Sequence, residues 1–335
     1  MYDTAGMTLA GLGDINGDGF DDLAIGTTNN DQGGSYAGKV YIVFGRSDGW
    51  ARDVDLSDSD ASIIGMESMH YIGVSISRAG DVNGDGYDDF LIGSYKSKAY
   101  LFMGKSEGWS NDMGVSNADS TFESATGYDY MGEVVSGGGD VNRDGYSDIV
   151  IAATRNSEFT SYAGKIFLFL GRPDGFDNVV SPSSADATFY GEGAGNMTGR
   201  ALKCDGDVNS DGYDDIILSS SYYGIGGMGR GKTYLILGRE TGWEKGVNLV
   251  NADASWVGEK GGDYSGYSIT FTGDYNIDGY HDIMISSYTF ETDSYRPGKV
   301  YFIPGRGDGW ETNVSLEDVE LSILGETDFD CFGRG

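Results

Sequence analysis

Residues 14–22 read D-I-N-G-D-G-F-D-D, and the stretch returns four times. Residues 81–89 read D-V-N-G-D-G-Y-D-D, and 140–148 read D-V-N-R-D-G-Y-S-D. Residues 207–215 read D-V-N-S-D-G-Y-D-D, and 274–282 read D-Y-N-I-D-G-Y-H-D. The shared pattern, D-x-N-x-D-G-x-x-D, places oxygen donors at alternate positions of a tight loop. A hard cation such as Ca²⁺ takes six to eight oxygens at about 2.3–2.6 Å. Positions 1, 3 and 5 of the loop supply side-chain oxygens, and glycine at position 6 permits a sharp turn. Position 7 offers its backbone carbonyl, and position 9 closes the shell. The predicted ligands are Asp14, Asn16, Asp18, Phe20 and Asp22 in the first copy, then Asp81, Asn83, Asp85, Tyr87 and Asp89. The third and fourth sets are Asp140, Asn142, Asp144, Tyr146 and Asp148, and Asp207, Asn209, Asp211, Tyr213 and Asp215. The fifth is Asp274, Asn276, Asp278, Tyr280 and Asp282.

The copies test this assignment. Position 8 reads Asp21, Asp88, Ser147, Asp214 and His281, whereas position 9 is aspartate throughout. A merely solvated acidic turn would not separate the two. The loop resembles the first half of an EF-hand loop but has no glutamate at position 12, where Ile25, Ile92, Ile151, Leu218 and Ile285 stand. Each loop runs straight into a short apolar, β-branched segment, which reads as a strand. The site is therefore strand–loop–strand.

The first aspartates, at 14, 81, 140, 207 and 274, lie 67, 59, 67 and 67 residues apart. Such a period marks a repeat architecture. The short interval has one origin. Asp22 to Lys39 is 17 residues, as in three other copies, but Asp89 to Lys98 is 9, so repeat 2 lacks eight residues of one loop. Each period carries four strand-like runs, exemplified by S-I-T-F, D-I-M-I-S, K-V-Y-F-I-P-G and E-L-S-I-L-G in the fifth. Four antiparallel strands per unit, repeated radially, describe a blade of an all-β propeller. Five such blades are expected, within a single domain over residues 1–335.

These residues resemble the FG-GAP repeat family, the calcium-loop propeller of integrin α-subunit heads and of many microbial secreted proteins. The carriers are the five loops, the Gly-aromatic or Gly-apolar steps Gly73-Val74 and Gly266-Tyr267, and the G-K-V-Y strand. The G-R-x-D-G-W-like turns place it nearer the microbial members. The resemblance implies about five Ca²⁺ per chain, an extracellular or cell-surface setting, and adhesion or interaction rather than catalysis. A lectin-like glycan binder is the alternative, and a hydrolase on a propeller scaffold is less expected. Family rings usually have seven blades. The chain is thus read either as an arc of a larger ring, with residues 326–335 opening a sixth repeat, or as a closed ring of five.

With 53 acidic and 22 basic residues the formal charge is −31, which disfavours nucleic acid and anionic membrane as partners. Five Ca²⁺ would offset ten of those charges, so folding is expected to depend on metal. Cys204 and Cys331 are not repeat equivalents, and no disulfide is expected between them. No apolar run is long enough to span a membrane.

Several motifs dissolve in the repeat. Arg306-Gly307-Asp308 lies in one of five equivalent strand-connecting turns, and so do both G-x-S-x-G matches, at 45–49 and 104–108. The G-x-G-x-x-G match at 224–229 falls between strands, where no helix follows to hold a phosphate. His70 and His281 are isolated, Asn196 and Asn313 open glycosylation sequons, and Trp50, Trp109, Trp243 and Trp310 recur in the turns. Antiparallel connectivity puts the metal loops and the 3–4 turns at one end of the blades. The 2–3 and inter-blade loops share the other end, which is rich in tyrosine. Tyr36, Tyr71, Tyr95, Tyr130, Tyr162, Tyr223, Tyr264 and Tyr295 are the candidate contacts for a protein or glycan ligand there. Packing between blades is the competing role for the same rings.

Overall fold

A computed structural model of the chain describes residues 3–124, 127–224, 229–292 and 295–334. Among them there is no α-helix, only strands and single turns of 3₁₀ helix. The expected four strands per repeat are present. In repeat 1 they are Thr8–Gly13, Asp22–Thr27, Lys39–Val43 and Ala61–Ile64; in repeat 2, Ile76–Gly80, Asp89–Gly93, Lys98–Phe102 and Ser120–Glu123. Repeat 3 has Met131–Gly139, Asp148–Ala153, Lys165–Phe169 and Ala187–Tyr190. Repeat 4 has Leu202–Gly206, Asp215–Ser220, Lys232–Ile236 and Ala254–Val257, and repeat 5 has Ile269–Phe271, Ile283–Ser287, Lys299–Ile303 and Leu321–Leu324. Neighbouring strands pair antiparallel, as in Ile25 opposite Tyr41 and Leu218 opposite Tyr234. These sheets are the blades of a β-propeller fold.

One feature exceeds the four-strand expectation. The connection from third to fourth strand carries a two-residue strand that pairs parallel with the outer strand of the preceding repeat. Met113 sits opposite Ile63, Val180 opposite Phe122, Val247 opposite Phe189 and Val314 opposite Trp256. Four sheets therefore have five strands, while the last, built on repeat 5, has four. Two residues are too few to show a hydrophobic period, so composition gave no sign of this strand.

The chain forms two compact units. One comprises Met1–Gly138, Gly145–Ile151 and Leu168–Ala185, the other Gly139–Asp144, Ala152–Phe167 and Asp186–Gly335. In the first unit, Ile42 and Ile63 of repeat 1 pack with Phe90, Ile92 and Phe102 of repeat 2. Trp109 closes that core, its ring centroid 6.4 Å from Phe44 and 5.9 Å from Phe90. In the second unit Ile217, Leu235 and Trp256 pack with Ile283, Tyr301 and Ile303, and Trp310 meets Trp256 edge-on at 6.1 Å. The turn tryptophans at 109 and 310 thus pack, partly buried, against the core. The core lies between consecutive sheets, so each repeat buries its apolar face only against a neighbour.

Candidate metal loops

The loops obey one set of hydrogen bonds. In the first, Asp14 Oδ1 accepts from the Gly17 and Asp18 amides at 2.7 and 3.0 Å, and Oδ2 accepts from Gly19 at 2.8 Å. Asn16 Oδ1 accepts from the same Asp18 amide at 2.8 Å, and Asn16 Nδ2 donates to Asp18 Oδ2 at 3.0 Å. Side chains at positions 1, 3 and 5 therefore converge above one turn of backbone. The second loop repeats this in full, and the fourth and fifth repeat it save for the position 4 amide, with Asn–Asp contacts of 2.9, 2.8 and 2.8 Å. The Asn142–Asp144 contact of the third is 2.8 Å. The donor set is oxygen only, which fits a hard cation such as Ca²⁺.

The turn needs two left-handed residues, not one. Position 6 is glycine with φ of 87–94° in every copy. Position 4 also has positive φ: Gly17 at 75°, Gly84 at 75°, Arg143 at 57°, Ser210 at 54° and Ile277 at 62°. Arginine, serine and isoleucine there gave no hint of this conformation.

Position 9 differs from the expectation in one respect. Asp22 begins the second strand and is buried, with Oδ2 accepting from Ile15 N at 3.0 Å and Oδ1 from Gly45 N at 2.8 Å. Asp89 holds Val82 and Gly104, and Asp215 holds Val208 and Gly238. Asp282 holds Tyr275 and Gly305, and Asp148 holds Gly171 at 2.8 Å. This carboxylate braces its own loop against the following 3–4 turn, and both its oxygens are engaged by backbone amides. Burial pushes three of these carboxylates up, Asp22 to about 6, Asp89 to about 7 and Asp215 to about 8, against the lowering effect of those amides. With position 3 an asparagine and position 9 turned inward, only two carboxylates per loop converge. Consistently, no group of three or more His, Cys, Asp or Glu gathers at a metal-sized point among the described residues.

Position 8 explains its own variability. The Asp88 amide donates to the Asp14 carbonyl of the preceding repeat at 3.1 Å, and Asp88 Oδ2 accepts from the Asp14 amide at 2.9 Å. Asp214 makes the same pair with Asp140, at 3.1 and 2.8 Å. His281 does so with Asp207, through its backbone amide and Nδ1, both at 3.2 Å. Ser147 keeps the backbone half of this pair, its amide donating to Asp81 O at 3.0 Å, so where position 8 adds a side-chain bond it acts as an acceptor rather than as an acid. Beside it, Lys105 N donates to Ile15 O, Arg172 N to Val82 O, Arg239 N to Val141 O and Arg306 N to Val208 O. The turn containing Arg306-Gly307-Asp308 is part of this repeat-to-repeat clamp, and the Arg306 guanidinium lies 4.7 Å from the Trp310 ring centre.

At the opposite end the tyrosines form contacts of their own. Tyr36 stacks on Tyr71 at 5.6 Å, Tyr71 meets Tyr95 at 5.6 Å, and Tyr95 meets Tyr130 at 5.7 Å. Tyr36, Tyr71, Tyr130, Tyr162 and Tyr264 all have positive φ. Tyr71 N thereby reaches Tyr36 O at 3.0 Å, knitting the 2–3 loop to the inter-blade loop. Tyr162 is exposed and Tyr223, Tyr264 and Tyr295 are half-buried. In the second unit Glu192, Asn196, Tyr223 and Arg230 line a cleft of about 720 Å³. Lys232, almost fully buried, spans Glu192 at 2.5 Å and Asn313 at 2.6 Å. Asn196 is buried and Asn313 accepts from that lysine, so neither sequon asparagine stands free. Ser47 and Ser106 are exposed in turns, and neither cysteine is in a disulfide. The inner residues of the 224–229 glycine motif lie outside the described residues.

An FG-GAP repeat model matches at residues 5–43, 73–102 and 131–169, over the first three blades. These three repeats are FG-GAP repeats. Among curated relatives, integrin alpha-6 of Gallus gallus is 26% identical over 259 residues, covering 74% of the chain and 22% of the relative. Integrin alpha-V of Gallus gallus is 27% identical over 220 residues, covering 62% and 19%. Phosphatidylinositol-glycan-specific phospholipase D of Dictyostelium discoideum is 24% identical over 368 aligned positions, covering 100% and 37%. The chain spans between about a fifth and two fifths of these relatives. No helix among the described residues is long and apolar enough to cross a membrane.

Proposed function

We propose that this chain is a calcium-stabilised interaction module that works outside the cell and performs no chemistry of its own. The reading rests on five loops whose Asp, Asn and Asp side chains converge with an oxygen-only donor set. Positions 1, 3 and 5 of each loop would hold the cation, with the position 7 carbonyl as a further donor, while the position 9 carboxylate braces the loop from behind. Bound Ca²⁺ would neutralise carboxylates that otherwise repel one another in a chain of formal charge −31. Weak sites of the kind found in extracellular modules, with Kd of about 10⁻⁴–10⁻³ M, fill outside a cell and not in cytosol. The integrin alpha relatives favour an adhesive role, and the phospholipase relative extends well beyond the aligned part.

Recognition of a protein or glycan is assigned to the face opposite the loops. The half-exposed tyrosines and the Glu192–Arg230 cleft support that placement. A glycan array separates the lectin-like alternative from a protein-binding module.

The metal is tested by titration calorimetry and thermal melts. About five Ca²⁺ per chain are expected, each adding about 1.8 kcal/mol at twenty times its Kd. EDTA should therefore lower Tm by many degrees. Far fewer bound ions, or a melt that EDTA does not move, would overturn the reading.

A further inference from the structure

In each of the first four loops, position 4 touches the loop that follows. Gly17 lies so close to the Tyr87 ring that a Cβ there would meet Cε1 at 2.5 Å, and Gly84 stands in the same relation to Tyr146 at 2.6 Å. Ser210 Oγ donates to the Gly279 carbonyl. Arg143 departs from this series in charge, not in place. Its Nη1 lies 3.5 Å from the Asp211 carbonyl oxygen, and its guanidinium carbon lies 5.9 Å from the Tyr213 ring centre. It also covers Gly212, where a Cβ would meet Nη1 at 2.8 Å. Asp211, Gly212 and Tyr213 are positions 5, 6 and 7 of the fourth loop. A permanent positive charge is thus seated on the backbone that carries two of that loop's predicted donors, the Asp211 side chain and the Tyr213 carbonyl.

Position 8 of the following repeat acts beside each loop from the other direction. Asp88 and Asp214 set a carboxylate against the Asp14 and Asp140 amides, whereas His281 sets an imidazole against the Asp207 amide. The fourth loop therefore receives a cation from the loop before it, and an imidazole in place of a carboxylate from the repeat after it. Its own Asp207, Asn209 and Asp211 are the same residue types, in the same order, as in every other copy. Its neighbours set it apart, not its ligands.

We propose, on the calcium reading of these loops, that the fourth is the weakest site and fills last, because Arg143 of the third loop repels the incoming cation. A unit charge several ångströms from a divalent ion at the protein surface weakens binding by about three- to tenfold, and salt screens the effect. As calcium falls, the fourth loop empties while the others keep their ions. The local charge around otherwise equal ligands then grades the sites.

The test is calcium titration calorimetry of the chain at low and at high salt, beside Arg143→Ser, Arg143→Lys and Asp211→Ala. Serine is what the fourth loop itself carries at position 4, where Ser210 holds φ at 54°, so the turn survives the first substitution. Thermal melts in saturating Ca²⁺ confirm that the variants fold. The wild type should bind one ion about three- to tenfold more weakly than the rest, with the gap narrowing in high salt. Arg143→Ser should close the gap, Arg143→Lys should keep it, and Asp211→Ala should delete the weak ion and leave the tighter ones. A wild type that binds no calcium overturns the metal reading of the loops itself. Calcium binding in a single class overturns the role of Arg143 alone, as does an Arg143→Ser titration identical to that of the wild type, or loss of a tight ion in Asp211→Ala.

Discussion

Position 8 offers a sharp test of how the repeats are joined. Asp88 Oδ2 accepts the Asp14 amide at 2.9 Å, and Oδ1 receives the Arg78 guanidinium at 2.6 Å. Asp88→Ala deletes both. The bond from a backbone amide to a carboxylate contributes about 1.5–3 kcal/mol. The Arg78 pair adds at most about 1 kcal/mol, because Arg78 is half-exposed and screened by solvent. The expected loss is about 2–3 kcal/mol. Asp88→Asn keeps a neutral acceptor for the Asp14 amide and should lose only about 1 kcal/mol. The repeats already make this comparison, since His281 Nδ1 accepts the Asp207 amide without a carboxylate.

Asp21 supplies the control. It holds position 8 in the first repeat, and it is exposed. Asp21→Ala should change stability by no more than about 0.5 kcal/mol. Thermal melts with saturating Ca²⁺ at low protein concentration read all three variants. In a unit of this size about 1 kcal/mol moves Tm by roughly 2–4 °C. Asp88→Ala should therefore fall by about 4–12 °C, Asp88→Asn by about 2–4 °C, and Asp21→Ala by at most about 2 °C. Equal losses for Asp88→Ala and Asp88→Asn would mean that charge, not acceptor geometry, matters at this position. Equal losses for Asp21→Ala and Asp88→Ala would remove the repeat-to-repeat clamp altogether.

Two further outcomes follow from conformation and burial. Ile277 holds φ at 62° with its side chain in solvent, a costly conformation for a β-branched residue. Ile277→Asn should raise stability by about 1 kcal/mol, seen as a higher urea midpoint at unchanged m, and a lower midpoint would refute the strain. His70 is buried against the Tyr100 hydroxyl at 2.6 Å, and burial holds its imidazole down to about 4, with Glu67 raising and Lys98 and Lys96 lowering it slightly. The folded protein thus binds fewer protons there than the unfolded chain between pH 6.5 and 4. Its stabilising effect is complete above pH 6.5 and falls by roughly 3 kcal/mol as pH drops through that window. The stability difference between wild type and His70→Asn should shrink correspondingly; a difference independent of pH would show that His70 is not held neutral.

Much of this was legible in the residues because the repeat supplies its own comparison set. The five loops, the four strands per blade and the eight-residue deletion before Lys98 all stand in the structure where the period puts them. The shortened loop closes as a tight turn, with Ser94 N and Oγ donating to Lys98 O and Ser97 at φ 58°. Three things were hidden for physical reasons. The fifth strand is two residues long and belongs to the next repeat. Position 4 needs a left-handed backbone, but only Gly17 and Gly84 signal it, while Arg143, Ser210 and Ile277 adopt the same conformation without a glycine. Position 8 looked neutral because the carboxylates of Asp88 and Asp214 and the imidazole of His281 share only the ability to accept a hydrogen bond, while Ser147 keeps the backbone bond alone.

Position 9 carries the opposite lesson. Aspartate in all five copies reads as a metal ligand, yet the same invariance follows from a structural duty. The residue must take two backbone amides, one from its own loop and one from the 3–4 turn. Asparagine would present an amine to one of them and leave that amide without a partner. Burying this carboxylate is unfavourable, as the upward displacement of Asp22, Asp89 and Asp215 records. A cation among positions 1, 3 and 5 would relieve that cost from a few residues away. The two roles therefore reinforce each other. A brace that stitches the blade end together is charged and buried, and a loop rich in oxygen beside it gives a cation reason to settle where it most helps the fold.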